Sequence, residues 1–273
     1  MNQYLLSILA GIIQGLTEFL PISSSGHLVI FHDFFGFNLS DDLLFDMALH
    51  LATFLALFLF FYKDVIDLIK AFFQSLLRWD LKNNIDQRLC WYILIGTIPA
   101  VVAGYLFENQ IETIFRHSVI VAFMLVAVGF ILYLADQLGK KINDLDKLGF
   151  WGSITIGIAQ AIALIPGVSR SGITIIAGLS QKLKREAAAR YSFLLSMPVV
   201  FGAGIKKILD LNCQIIDLKQ WLIILTGFAA ATITGFLAIK YFLKFLSSHS
   251  LKIFAYYRII LGFVILITLY FLK

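Results

Sequence analysis

Residues 4–27 read YLLSILAGIIQGLTEFLPISSSGH and residues 150–174 read FWGSITIGIAQAIALIPGVSRSGIT. Each begins as an apolar helix and stops at a proline, Pro21 or Pro166, followed by Ser and Gly. The stop comes too early to cross a bilayer, whose core takes about 20 helical residues. A second, short apolar piece follows each break, about 27–36 and 173–180. The two stretches also match each other at an offset of 146: Gly11 with Gly157, Gln14 with Gln160, Ser23 with Ser169, Ser25 with Ser171 and Gly26 with Gly172. Pro21 and Pro166 fall one position out of step. Broken apolar segments at matching places in two halves are the mark of inverted repeats whose sites meet near the bilayer midplane. Non-helical backbone at that depth is tolerated only where protein or a wet cavity surrounds it. The stretches therefore read as two re-entrant helix–loop–helix hairpins, with ordinary kinked spans as the plainer alternative.

The rest of the chain is as apolar as these segments. Of 273 residues 60% are hydrophobic and only 14% charged, against about 45–50% and 25% in soluble domains. No soluble core absorbs that much apolar surface. Six further runs are long enough to span: 43–62, 89–107, 118–137, 187–206, 220–239 and 252–272. The expected fold is an all-α polytopic membrane protein with six transmembrane helices plus two re-entrant hairpins in inverted-topology repeats. It forms one domain over 1–273, repeat one covering about 1–137 and repeat two about 150–273.

The formal net charge of +5 suggests an acidic partner until the cations are sorted. Fifteen of the 22 Lys and Arg fall in four segments that this topology puts on one face: 63–88, 138–149, 181–190 and 240–252. Arg116, Lys206, Lys207, Lys219 and Lys273 lie on the other face. By the positive-inside rule the first face is cytoplasmic, both termini are external and the first hairpin enters from outside. Loop cations that orient a chain imply no nucleic acid. Cys90 and Cys213 have no metal or redox spacing and read as reduced bystanders. The N-terminal stretch lacks the basic start of a signal peptide and reads as part of the mature protein.

Two charges remain, Arg170 and Arg258. Arg258, near one end of the last run, reads as a snorkelling side chain. Arg170 sits in the broken loop Pro166-Gly-Val-Ser169-Arg170-Ser171-Gly-Ile-Thr174. An Arg fork flanked by hydroxyls where a helix begins suits a phosphate oxyanion; it could equally serve the carbonyls of re-entrant backbone. In the first hairpin Gln14 and Glu18 share a helix face at i and i+4. An intramembrane carboxylate marks a functional site by default, though a protonated Glu bonded to a neighbouring helix is also possible. Ser23, Ser24, Ser25 and His27 follow within nine residues, so a metal ligand, a nucleophile and an acid–base group meet at one break. Asp46 and His50, at i and i+4 in the first span, could line the same cavity or bond a neighbouring helix.

The pair of motifs, Gln14-Gly-Leu-Thr-Glu18 through Ser24-Ser-Gly-His27 and Pro166-Gly-Val-Ser-Arg170-Ser-Gly-Ile-Thr174, resembles the undecaprenyl-diphosphate phosphatase family, also called bacitracin-resistance proteins. The resemblance covers essentially the whole chain. It implies a multi-pass enzyme of the bacterial inner membrane that removes the terminal phosphate from a polyprenyl diphosphate lipid. The product is the carrier for peptidoglycan synthesis, bacitracin being connected only through the shared substrate. It also implies a divalent metal, Mg2+ or Ca2+, and a homodimer. Carried over by position, Ser24 is the nucleophile, His27 and Glu18 its acid–base partners, Glu18 and Gln14 the metal ligands. Arg170, with Ser169, Ser171, Thr174 and Ser23, binds phosphate. Gln14 stands where many members have Glu, and an amide ligates hard cations only through its oxygen. A covalent phosphoserine and direct attack by water both remain open. The lipid phosphate phosphatases, which share Ser-Gly-His, are a poor match because no His follows Ser169-Arg170 within reach. A lipid-carrier flippase is the alternative of a different class.

Overall fold

Proline and serine punctuation sets where the helices stop. The structure, a computed structural model, describes residues 2–35, 42–107, 110, 117–210 and 217–271, and these form α-helices with no strand. Helix α1 (Gln3–Phe19) starts under the Asn2 side chain, which accepts from Tyr4 N at 3.0 Å, and ends just before Leu20-Pro21. Helix α2 (Ser24–Phe35) resumes after the break. The second broken stretch gives α7 (Phe150–Ile162) and α8 (Arg170–Ser180). Between and after them run α3 (Asp42–Phe60), α4 (Tyr62–Leu77), α5 (Ile85–Leu106), α6 (Ser118–Leu138), α9 (Arg185–Asp210), α10 (Leu218–Leu246) and α11 (Lys252–Phe271). Five of these are long and apolar enough to cross a membrane, and α3 with α4 makes a sixth if a bent pair is one span.

Helix α4 corrects the reading of 63–88 as connecting chain. It is bent 80° from α3 at Phe61. Its charged residues Lys63, Asp64, Asp67 and Lys70 interrupt the apolar run, which hid a helix whose other face packs Val65, Leu68 and Phe72 beside Ile93 and Leu94 of α5. An amphipathic helix shows in its period, not in a window of mean hydropathy. Arg116, Lys273 and Cys213 lie outside the described residues; Cys90 is buried and free.

The first helix of each broken stretch packs against a long helix of the other half: α1 lies on α10 and α7 on α5. Small residues make both crossings possible. A Cβ on Gly11 would stand 2.3 Å from Gly227 O, and one on Gly157 would stand 2.3 Å from Gly96 O. Gly11 and Gly157 are the pair that the 146-residue offset superimposes. The halves therefore interleave, and α6 packs along α11.

Ion pairs tie one end of the bundle. Asp136, buried at the end of α6, takes both Nε (2.5 Å) and Nη2 (3.2 Å) of Arg185 and accepts from Leu251 N at 3.1 Å. That single carboxylate holds the ends of α6, α9 and α11 together. Arg190 pairs with Asp64 of α4, and Lys184 with Asp144 at 2.7 Å. Several cations read as orientation signals are thus structural as well.

The glycine crossings give a direct test. Gly157→Ala should lower the melting temperature in detergent, with a loss of roughly 1–3 kcal/mol from overpacking. Gly149→Ala, which would meet nothing within 4 Å, should melt like wild type. Equal melting of the two variants would show that the α5–α7 crossing relaxes freely.

Candidate active site

The two breaks have the same backbone and the same hydrogen bonds. Ser23 and Ser169 both adopt positive φ, 74° and 72°, a conformation that costs a non-glycine residue about 1–3 kcal/mol. Each is stabilised locally. Gly26 N donates to Ser23 Oγ (3.4 Å) and Gly172 N to Ser169 Oγ (3.2 Å). Ser23 and Ser25 hydroxyls lie 3.3 Å apart, those of Ser169 and Ser171 3.2 Å. The offset seen in the sequence is a duplication of loop geometry. The loops also touch: Ser171 Oγ donates to Leu20 O at 3.0 Å and Gly167 N to Ser25 Oγ at 3.5 Å.

Arg258 overturns the snorkelling expectation. It is 0% exposed, and its guanidinium reaches into the space between the breaks. Nη1 donates to Pro21 O (3.2 Å), Nη2 to Gly167 O and Val168 O (2.9 Å each) and Nε to Leu125 O (3.4 Å). The carbonyl-satisfying role considered for Arg170 belongs to Arg258. Position near a helix end suggested the wrong answer because the face of α11 that carries Arg258 meets both loops.

Freed from the carbonyls, Arg170 turns to the other loop. Its Nη2 donates to Glu18 Oε1 at 2.7 Å. The second carboxylate oxygen, Oε2, accepts from Ser24 Oγ at 2.7 Å and from Gln14 Nε2 at 3.0 Å. Glu18 is 8% exposed and Gln14 0%. A buried carboxylate held by a cation and two neutral donors is the condition under which burial is tolerable. Because α2 starts at Ser24 and α8 at Arg170, the positive ends of two helices converge on the same spot.

The remaining sequence candidates divide. The hydroxyls of Ser23, Ser169 and Ser171 are engaged in building the loops. Thr174, fully buried one turn into α8, gives its hydroxyl to Arg170 O (2.7 Å) and meets Ser192 Oγ at 2.6 Å, positioning α8 against α9. His27 is not bonded to Ser24. Its Nδ1 donates to Ser23 O (2.7 Å), which leaves Nε2 with the lone pair, and Nε2 accepts from Tyr257 OH at 2.7 Å. The rings of His27 and Tyr257 are stacked. Tyr257 carried no signal in the sequence beyond its place next to Arg258. His50 reaches the site as one of the two readings proposed: its Nδ1 lies 3.1 Å from Gln14 Nε2 and 3.7 Å from Glu18 Oε2. Asp46, one turn before it, meets His32 at 3.2 Å.

Two atoms in this cluster are buried without a hydrogen-bond partner, Gln14 Oε1 and Arg170 Nη1. An orphan acceptor beside a carboxylate fits a hard divalent cation, and an orphan guanidinium N–H fits an oxyanion. Among the described residues no three His, Cys, Asp or Glu side chains gather as a metal site, so a cation held here would need an amide such as Gln14.

The family described as bacitracin resistance protein BacA matches residues 7–264. The chain is 43% identical over 263 residues to the undecaprenyl-diphosphatase of Rubrobacter xylanophilus, covering 96% of this chain and 97% of that one. It is 44% identical over 260 residues to the undecaprenyl-diphosphatase of Halothermothrix orenii, covering 95% and 96%. With that of Thermomicrobium roseum the identity is 40% over 280 residues, spanning both chains in full.

Arg258→Met removes the guanidinium bonds to Pro21 O, Gly167 O and Val168 O, and the one to Leu125 O that adds to its own helix bond, while keeping an unbranched stem. Each orphaned buried acceptor costs about 1–3 kcal/mol, so a loss of at least about 2–4 kcal/mol is expected. Chemical denaturation in detergent measures it. A variant as stable as wild type would show that the loops hold themselves.

Proposed function

The chain belongs to the bacitracin resistance protein BacA family, and from that we propose that it is an undecaprenyl-diphosphatase, hydrolysing a membrane polyprenyl diphosphate to the monophosphate and inorganic phosphate. The observation that carries the reading is one carboxylate, Glu18, joined by the Ser24 hydroxyl from its own loop and the Arg170 guanidinium from the other, each at 2.7 Å. A nucleophile, a base and an anion-binding fork meet with one guanidinium nitrogen, Arg170 Nη1, unpaired. A carrier that only moves a headgroup has no need of a hydroxyl aimed at a carboxylate.

Phosphoryl transfer asks for positioning and charge neutralisation more than covalent work. Arg170 Nη1 and the start of α8 receive the terminal phosphate. Ser24 Oγ gives its proton to Glu18 Oε2 and attacks the terminal phosphorus. The Ser24–phosphorus bond forms as the phosphorus–oxygen bond to the lipid monophosphate breaks. Water then cleaves the phosphoserine. His27, whose Nε2 lone pair is held by the Tyr257 hydroxyl, is the second proton acceptor once that hydroxyl moves aside, and Tyr257 orients its ring. In this scheme Ser23, Ser169, Ser171 and Thr174 act on phosphate through loop and helix geometry. Glu18 and Gln14 would hold a divalent cation of the Mg2+ or Ca2+ kind, which would supply further charge neutralisation.

The same reading places the two broken helix pairs as re-entrant hairpins in the inner membrane, the first open to the outside, with both termini external. The fifteen cations gathered on one face and the duplicated loops support it. Bacitracin enters only through the diphosphate lipid that both would bind.

Phosphate release from undecaprenyl diphosphate in detergent micelles tests the assignment. Ser24→Ala should lower kcat by about 10²–10⁴-fold. Arg170→Lys, which keeps charge but loses the fork, should raise KM and lower kcat together. A Ser24→Ala protein with the wild-type rate would remove the nucleophile and favour direct attack by water.

A further inference from the structure

Three side-chain ends from two helices meet at the inner side of this site: the Gln14 amide, Glu18 Oε2 and His50 Nδ1. Their spacings are 3.0 Å from Gln14 Nε2 to Glu18 Oε2, 3.1 Å from Gln14 Nε2 to His50 Nδ1, and 3.7 Å from His50 Nδ1 to Glu18 Oε2. Neighbouring ligands on an octahedral cation with bonds of about 2.1 Å stand about 3.0 Å apart; for Ca2+, with bonds of about 2.3–2.6 Å, the separation is about 3.3–3.7 Å. Two edges of the triangle already have the smaller spacing. The third closes by less than an ångström of movement in His50, whose side chain is 42% exposed.

The protonation pattern also suits a cation. An amide nitrogen only donates, so His50 Nδ1, facing Gln14 Nε2, presents its lone pair. Glu18 Oε2, which accepts from Ser24 Oγ and Gln14 Nε2, presents another once the amide turns away its nitrogen. Turning the Gln14 amide about its last torsion exchanges its nitrogen with the buried, unpartnered Oε1. Three lone-pair atoms would then face one point. That arrangement repels itself in an empty site and is what a divalent cation collects.

We infer that His50 is the third protein ligand of the divalent cation in this site, completing an amide–carboxylate–imidazole triangle that selects a small octahedral cation, Mn2+ above Ca2+. The inference rests on the cation reading of Glu18 and Gln14. An imidazole nitrogen is a better donor to Mn2+ than to the hard Ca2+ ion, and the spacing points the same way. His50 stands on α3, outside both broken stretches, and ties that span to the site.

The test is Mn2+ binding to the full-length protein in detergent, read by electron paramagnetic resonance without any substrate. Wild type should bind Mn2+, and pulsed spectra should show modulation from a directly bonded nitrogen that shifts when the protein carries 15N-histidine. His50→Gln, which offers an oxygen at the same place, should lose that modulation and bind Mn2+ about tenfold or more weakly, with a smaller change for Ca2+. If that variant fails to fold, His50→Asn with the same 15N-histidine label decides, because the label alone does not separate His50 from His27. Bound Mn2+ with no nitrogen modulation, abolished by Glu18→Gln, would overturn the role of His50 while leaving the Glu18–Gln14 cation reading intact. No Mn2+ uptake by wild type would overturn both.

Discussion

One buried guanidinium holds the two breaks in register. Arg258 takes carbonyls from Pro21 in one loop and from Gly167 and Val168 in the other, and a fourth from Leu125 of α6. Loop carbonyls inside an apolar bundle have no water to bond, and each left alone would cost more than an ordinary hydrogen bond returns. Arg258 answers that need for both loops at once. Everything functional follows from the result: Arg170 is released from backbone duty and can cross to Glu18, and the starts of α2 and α8 point at the same place.

The division of labour between the two arginines is also an electrostatic arrangement. Arg258 is a cation among carbonyl dipoles with no carboxylate bonded to it among the described residues, and Arg170 is paired with Glu18. The site therefore keeps a net positive character at its floor while its visible ion pair is neutral. A substrate bearing a diphosphate meets a surface that favours it without displacing Glu18 from its partners.

Much of this was legible in the sequence because it depends on local residue order. The breaks at Pro21 and Pro166, the offset between the stretches, and the pairing of Gln14 with Glu18 on one helix face are all matters of spacing along the chain. Ser24 and Arg170 stood out because polar groups are conspicuous in apolar segments. What escaped notice depends on which helices become neighbours. Arg258 near a helix end looks like a side chain seeking water until α11 is known to lie against both loops. His27 follows Ser24 by three residues, yet the turn of α2 aims it at Tyr257, a residue 230 positions away. Helix α4 is hidden for another reason, since its charges break the apolar run that marks a span.

The interleaving of the halves has a consequence for the order of events during synthesis. Ser7 on α1 donates its hydroxyl to Ile223 O, across 216 residues of chain, at 2.5 Å. The helix carrying Gln14 and Glu18 is made first and its main packing partner, α10, comes near the end. Through most of translation α1 therefore waits in the membrane with Gly11, Gly15 and a carboxylate uncovered, too short to span alone. The insertion machinery, or lipid headgroups at the surface, must shelter it until α10 arrives. A ribosome that stalls before α10 leaves Gln14, Glu18 and Ser24 synthesised but without the wall that sets them.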